Sequence, residues 1–177
     1  RGLGDVYKRQ GSLPKSFDKE EYDVRVIIPK YMCMNQKWKD KMTYLNHFYM
    51  DLCWRRQYVG IMEMEYEGVK YYFIDNEYYF AGDKPYSDVR YDLEKFAFFS
   101  RAVLSALPVI DFRPDVIHCH DWQTGLIPVY LHDSFAYGDF YRGIKSIMTI
   151  HNLKFQGVWD IDTIKDIAGS VSYTHLT

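Results

Sequence analysis

A chain of 177 residues with a net charge of -2 has room for one ordinary domain and little room for a second independent core. Its 47% apolar and 18% aromatic content argues against intrinsic disorder, which needs low hydrophobicity and few aromatics. The balance of 22 Lys and Arg against 24 Asp and Glu argues against a partner bound through phosphate or anionic-lipid charge, so neither nucleic acid nor a membrane surface is expected. The three cysteines, Cys33, Cys53 and Cys119, are too few for a disulfide framework and fit a reducing, cytoplasmic setting. No apolar run reaches the roughly 18 residues of a membrane span, and the first residues do not read as a secretory signal.

In chain order, Gly2-Leu3-Gly4-Asp5-Val6 opens as a glycine-rich loop of the kind that lets backbone amides approach an anion. It fails as a dinucleotide fingerprint, because the third small residue of that motif would fall on Tyr7 and no strand precedes it. The charged run Asp18-Lys19-Glu20-Glu21 reads as a solvated face. The apolar run at 23–29, DVRVIIP, predicts a strand buried on both faces. From Lys41 to Asp75, β-formers flank Glu67-Gly68, which predicts an inserted β-hairpin. The aromatic set Tyr71, Tyr72, Phe73, Tyr78, Tyr79 and Phe80 reads mostly as core, while Tyr86, beyond Gly82 and Pro85, reads as a loop residue able to face a ligand.

Leu93, Phe96, Ala97, Val103, Leu104 and Leu107 step by three and four, with Ser100 at the missing position, predicting an amphipathic helix from Asp88 that stops at Leu107 before Pro108. The runs at 115–120, DVIHCH, and 143–150, GIKSIMTI, predict two more buried strands around a shorter helix from Gln123 to Leu131, with Pro128 near its first turn. The fold expected is α/β, a Rossmann-like, mostly parallel sheet with an inserted β-hairpin.

Ligands of open α/β sheets collect at the carboxyl ends of strands. Two such ends are polar: His118-Cys119-His120-Asp121-Trp122-Gln123, and His151-Asn152. On a strand His118 and His120 share one face and Cys119 takes the other. Two imidazoles and a carboxylate are also zinc-ligand types, yet the sequence specifies no third ligand for a metal. The plain reading of His118 is a buried imidazole bonded to a neighbouring strand or loop. Asp121-Trp122 has sugar-binding chemistry, a carboxylate for hydroxyls and a ring for an apolar sugar face; equally, Asp121 caps the next helix and Trp122 fills the core. His151-Asn152 reads either as a donor-acceptor pair or as a polar turn.

Together GLGDV, GSLPKSF, DVRVIIPKY, HFYMDLCWRRQYVGI, YYFIDNEYYF, EKFAFFSRAVL, DVIHCHDWQTGLIPVYL and TIHNLKFQG resemble, in order, the amino-terminal domain of bacterial glycogen synthases and plant starch synthases. These are retaining glucosyltransferases of the GT-B fold. The resemblance implies glucose transfer from ADP-glucose, or less often UDP-glucose, to the non-reducing end of an α-1,4-glucan, with no metal or other cofactor. It places Gly4 and Asp5 by the donor diphosphate and glucose, and His151 against the donor glucose near the reacting centre with Asn152 beside it. It makes His151 and Asp121 the catalytic candidates and lines the acceptor side with Tyr86, Asp121 and Trp122. His120 stands where the family often has Asn, and no chemistry is assigned to it.

The departures from the family pattern set further expectations. The chain opens with Arg1 where the family has its first glycine, so the donor-binding lysine and the first strand of the GT-B amino-terminal half are read as missing. Residues 7–10 interrupt the loop-to-helix junction, and residues 170–177 match nothing expected, so both stretches are read as foreign. The reading is therefore residues 1–169 as a partial acceptor-side domain, with the carboxy-terminal nucleotide-sugar domain absent and the isolated chain inactive and marginally stable. The alternatives are another GT-B glycosyltransferase with a different acceptor, or a non-catalytic glucan-binding module.

Overall fold

A computed structural model describes residues 11–154 and 156–168. The calls on Gly4, Asp5, residues 7–10 and residues 170–177 fall outside the described residues. The chain divides into two compact units, one running up to Phe48 and resuming with Val59–Ser87, the other made of Tyr49–Tyr58 and the chain from Asp88.

The first unit is built on a four-stranded sheet in the order β1-β4-β3-β2, where β1 is Arg25–Pro29, β2 Thr43–Leu52, β3 Arg55–Tyr66 and β4 Val69–Asp75. β1 runs parallel to β4, and β3 runs antiparallel to it. The turn between β3 and β4 is the expected Glu67-Gly68, closed by the Tyr66-Val69 pair. Both turn residues have positive φ, 51° and 72°, the requirement of a tight turn whose twist matches that of the strands it joins. Lys15 forms an ion pair with the Glu67 carboxylate, and the Lys19 ammonium donates to the Glu67 carbonyl at 3.2 Å. Lys19 of the charged run is thus a solvated residue with a specific bond. Tyr71, Tyr72, Phe73 and Ile74 are all buried, so β4 is covered on both faces. Ile28, Met34, Val69, Tyr71 and Phe73 pack together with Trp38, Met62 and Met64 around them.

The second unit centres on a 21-residue helix, α3, Val89–Val109, preceded in the chain by two single-turn helices, α1 (Gln36–Lys39) and α2 (Glu77–Phe80). The Asp88 carboxylate caps α3 by accepting from the amides of Arg90 and Tyr91, which satisfies two of the orphan donors of its first turn. The expected stripe is buried, and so are Phe98, Phe99, Ala102 and Ala106, so the helix is enclosed on more than the one face that a strict amphipathic reading allows. Inside it Lys95 donates to Asp92 at 2.7 Å, with both side chains nearly inaccessible.

The expected stop at Leu107 is corrected, since the helix runs through Pro108 to Val109. Asp111 takes a left-handed φ of 50°, its amide bonds to the Pro108 carbonyl and the Phe112 amide bonds to that of Leu107. This paired pattern is a Schellman termination. It consumes the carbonyls of Leu107 and Pro108 and ends the helix two residues beyond the expected stop.

Two further parallel strands, β5 (Val116–His120) and β6 (Lys145–Thr149), form a separate two-stranded sheet. Between them a 3-10 turn, Trp122–Thr124, leads into α4, Leu126–Tyr130, and a π-helical turn, Leu131–Phe135. Pro128 is the third residue of α4, inside the first turn, where its missing amide hydrogen costs no bond. A last helix, α5, Ile161–Ala168, packs with α4 and the 3-10 turn against α3.

The α/β class with parallel pairs and an antiparallel insertion therefore holds, while the predicted burial of β5 and β6 does not. Val116, Ile147 and Met148 are exposed, and only Cys119 in β5 is fully covered. Apolar runs report what a strand can tolerate, not what covers it. Among the described residues no helix is long and apolar enough to cross a membrane.

Candidate functional site

Strand register decides which side chains meet at the tips of β5 and β6. His118 pairs with Ile147, Cys119 with Met148 and His120 with Thr149. Alternation turns Cys119 inward, where burial raises its thiol pKa to about 11 against the opposing effect of a bond with Thr124. His118 and His120 take the other face. Their rings lie 4.2 Å apart, and His118 Nε2 bonds Thr149 Oγ1 on β6 at 2.7 Å. The expected bond to a neighbouring strand or loop is present and is made to a strand, but His118 is exposed, not buried.

The two polar tips are joined by two bonds. The Asp121 carboxylate accepts from the His151 amide at 2.6 Å, and His120 Nδ1 shares a hydrogen bond with His151 Nε2 at 3.0 Å. The His120 and His151 rings are near-parallel, with centroids 5.3 Å apart and 13° between their planes, as fits an edge-to-edge hydrogen bond. The Asp121 amide also donates to the Thr149 carbonyl at 2.8 Å. This geometry needs an unusual backbone at Asp121, φ 58° and ψ -179°, a region sparsely populated by residues other than glycine. The alternative that Asp121 caps the following helix is overturned: its side chain makes no capping bond there, because the carboxylate is turned to the His151 amide. Partial burial, then the neighbouring imidazoles of His118 and His151, hold the His120 pKa below the ordinary histidine value, with Asp121 opposing.

Trp122 is half-buried and makes the contacts of a packing residue, meeting Phe96 edge-on at 5.0 Å and Trp159 at 5.2 Å. Gly157, at φ 58°, sits against both indoles, and a Cβ there would lie 2.7 Å from each ring. Asn152 is exposed and its side chain accepts from the Lys154 amide at 3.0 Å, the polar turn that the sequence allowed. Tyr86 is 47% exposed in the first unit.

His151, Asn152, Asp121 and Trp122 are thus brought into one neighbourhood, and His120 and Thr149, to which no role was given, belong to it. Half of the signal was available, since alternation puts His118 with His120 on one face of β5 and Thr149 with His151 on one face of the β6 line. The register of β5 on β6 makes these the same face. Among the described residues no group of three or more His, Cys, Asp or Glu side chains has metal-holding geometry. What the arrangement offers is a cluster of imidazole and hydroxyl donors and acceptors with one carboxylate, suited to hydroxyl groups.

Comparison with known proteins gives this cluster its context. A family described as the starch synthase catalytic domain matches residues 2–175. The chain belongs to this family. Glycogen synthase of Lachnoclostridium phytofermentans is 63% identical over 172 residues, 97% of this chain and 35% of that protein. Glycogen synthase of Lachnospira eligens is 66% identical over 168 residues, 95% of this chain and 34% of that protein. Among solved structures, the catalytic domain of Starch Synthase IV from Arabidopsis thaliana, bound to ADP and acarbose, matches with a TM-score of 0.77 at 28% identity. That match covers 94% of this chain and 34% of the other. The starch synthase family fold is therefore shared, and the chain spans about a third of the length of the curated relatives it matches.

Proposed function

We propose that this chain is the acceptor-side, amino-terminal part of a retaining glucosyltransferase that elongates α-1,4-glucan from ADP-glucose, or from UDP-glucose, in the cytoplasm. The observation that carries the reading is the double join of the strand tips, Asp121 to the His151 amide and His120 to the His151 ring. It holds an imidazole rigidly at the carboxyl end of a parallel pair, where α/β enzymes bind ligands.

In this scheme a donor phosphate oxygen takes the acceptor proton on the face from which the diphosphate departs, so the protein's part is orientation and charge stabilisation. His151 contacts the donor glucose near the reacting carbon, and Asp121 fixes the backbone from which His151 projects. Gly4, Asp5 and Asn152 serve the donor side, while Tyr86, Asp121 and Trp122 serve the glucan side. Trp122, already packed on Phe96 and Trp159, shapes this side more by its fixed position than by a free ring face. The partners are a nucleotide-linked glucose and a glucan chain. The remaining two-thirds of the relatives' length supplies the groups that grip the nucleotide, so the chain alone is expected to transfer no glucose.

A chimera tests this directly. Residues 2–169 replace the matching segment of the Lachnospira eligens glycogen synthase, and incorporation of labelled glucose from ADP-glucose and from UDP-glucose into glycogen is measured. The chimera should elongate glycogen, the isolated chain should not, and H151A should lower the rate by about 10²-fold or more, the usual loss for a group aimed at the reacting centre. A folded chimera inert with both donors would overturn the reading, as would robust turnover by the isolated chain or an H151A variant as active as its parent.

A further inference from the structure

We infer that His120 is a positioning residue for His151, setting which ring nitrogen of His151 faces the ligand. The inference rests on the proposed contact between His151 and the donor glucose.

His120 Nδ1 and His151 Nε2 are 3.0 Å apart. A bond between two imidazole nitrogens holds one proton, so one ring donates and the other accepts. Either way Nε2 of His151 is occupied, and Nδ1 is the ring nitrogen left to meet a ligand. If His151 donates, its Nδ1 is an acceptor; if His120 donates, Nδ1 of His151 carries the hydrogen. The hydrogen-bonding character that His151 shows to a sugar hydroxyl is thus selected by its partner, as outer partners commonly orient a working histidine.

His120 is itself held. The His118 ring lies 4.2 Å from it, His118 is tied to Thr149 Oγ1 at 2.7 Å, and the Thr124 hydroxyl donates to the His120 carbonyl at 2.9 Å. The titratable groups facing it are His118 on its own strand, Asp121 next in the chain and His151 from the end of β6. The Asp121 carboxylate restrains only the main chain of His151. Among the described residues His120 is the side chain bonded to this ring, and without that bond the ring would turn about its side-chain bonds. Protonating both rings removes the acceptor from the pair, so the same geometry requires that positioning be lost in acid.

The experiment uses the chimeric enzyme with H120F, which keeps a flat ring and deletes both nitrogens, and H120N, whose side chain has an amide donor and a carbonyl acceptor close to the Cβ. Steady-state constants are measured across pH 5.5 to 8, together with the imidazole ¹⁵N shifts of His151. The inference expects H120F to lower kcat about tenfold or more at little cost in KM for glucan, to change the acidic limb of the profile and to shift the His151 Nε2 signal. It expects H120N to recover most of kcat. A positional role is overturned if H120F keeps kcat within about twofold of the parent, or if H120N is no better than H120F, while H151A abolishes transfer. If H151A itself leaves transfer intact, the reading of the site falls first and the role of His120 falls with it.

Discussion

The Tyr141 hydroxyl donates to the Leu104 carbonyl at 2.8 Å. In an unbroken α-helix that carbonyl would accept from the amide of residue 108, but residue 108 is a proline and has no hydrogen to give. Burial pushes the Tyr141 phenol up to about 12, so it stays a donor at any working pH. A side chain 37 residues away thus supplies the bond that the helix cannot make for itself. Y141F should destabilise the protein by about 1–2 kcal/mol, because it leaves a carbonyl of the fully buried Leu104 unpaired. In a P108A background the restored amide takes over, and Y141F should cost clearly less. Urea unfolding of the four proteins checks this, and an equal loss in both backgrounds would contradict it.

Ser100 lies fully buried in the same helix, and among the described residues its hydroxyl has no hydrogen-bond partner. Alanine fits the space, removes an unpaired polar group and favours the helix by about 0.5 kcal/mol. S100A should therefore raise the melting temperature. A fall on calorimetry would mean that the hydroxyl has a partner after all.

What could be read from the sequence divides along a physical line. The turn at Glu67-Gly68, the buried stripe of α3 and the opposite faces of His118 and Cys119 all follow from local rules of φ, period and alternation. The termination at Asp111 did not follow, since left-handed positions usually announce themselves with glycine. Asp121 was equally opaque, because its backbone geometry is imposed by Thr149 and its side chain is drawn to His151, both about thirty residues away. The His120-His151 bond needed the register of β5 on β6, which no single strand contains. The exposure of β5 and β6 was misread because hydrophobicity states a preference and not a neighbour.

Asp121 gives that point an energetic test. Its φ of 58° with an extended ψ costs a non-glycine residue about 1–3 kcal/mol, offset here by the bonds to Thr149 and His151. D121A keeps the strain and loses the carboxylate, whereas D121G loses the carboxylate and relieves the strain. D121G should therefore melt above D121A, although both release His151 and both should lower transfer in the chimera. The order of the two melting temperatures decides it, and D121A at or above D121G would show that no strain is stored there.

Stability should also depend on pH through His120. Its folded pKa lies below the ordinary value of 6.5, with burial the leading cause, so on acidification the unfolded chain takes up a proton before the folded one. Stability then rises with pH across the window from that lowered pKa to about 6.5 and is level, as far as this group goes, above it. Melting temperatures between pH 5 and 7.5 should show the slope, and H120N should flatten it. An unchanged slope in H120N would assign the dependence to other groups.

Gly157 is the position from which the aromatic packing of the site can be disturbed without touching a polar group. A Cβ would meet Trp122 Cε3 and Trp159 Cζ3 at 2.7 Å each, and the φ of 58° is unfavourable to any side chain but that of a few polar residues. The indoles cannot both yield, since Trp122 is also in edge contact with Phe96. G157A should cost at least about 1–3 kcal/mol by overpacking and should weaken the near-ultraviolet circular dichroism of the tryptophans. G157N separates the two causes, because asparagine tolerates the backbone angle while its Cβ meets the same rings. If sterics dominate, G157N is as damaging as G157A. If G157N is tolerated and G157A is not, the backbone angle is what glycine supplies, and the contact between Gly157 and the two indoles does not limit the site.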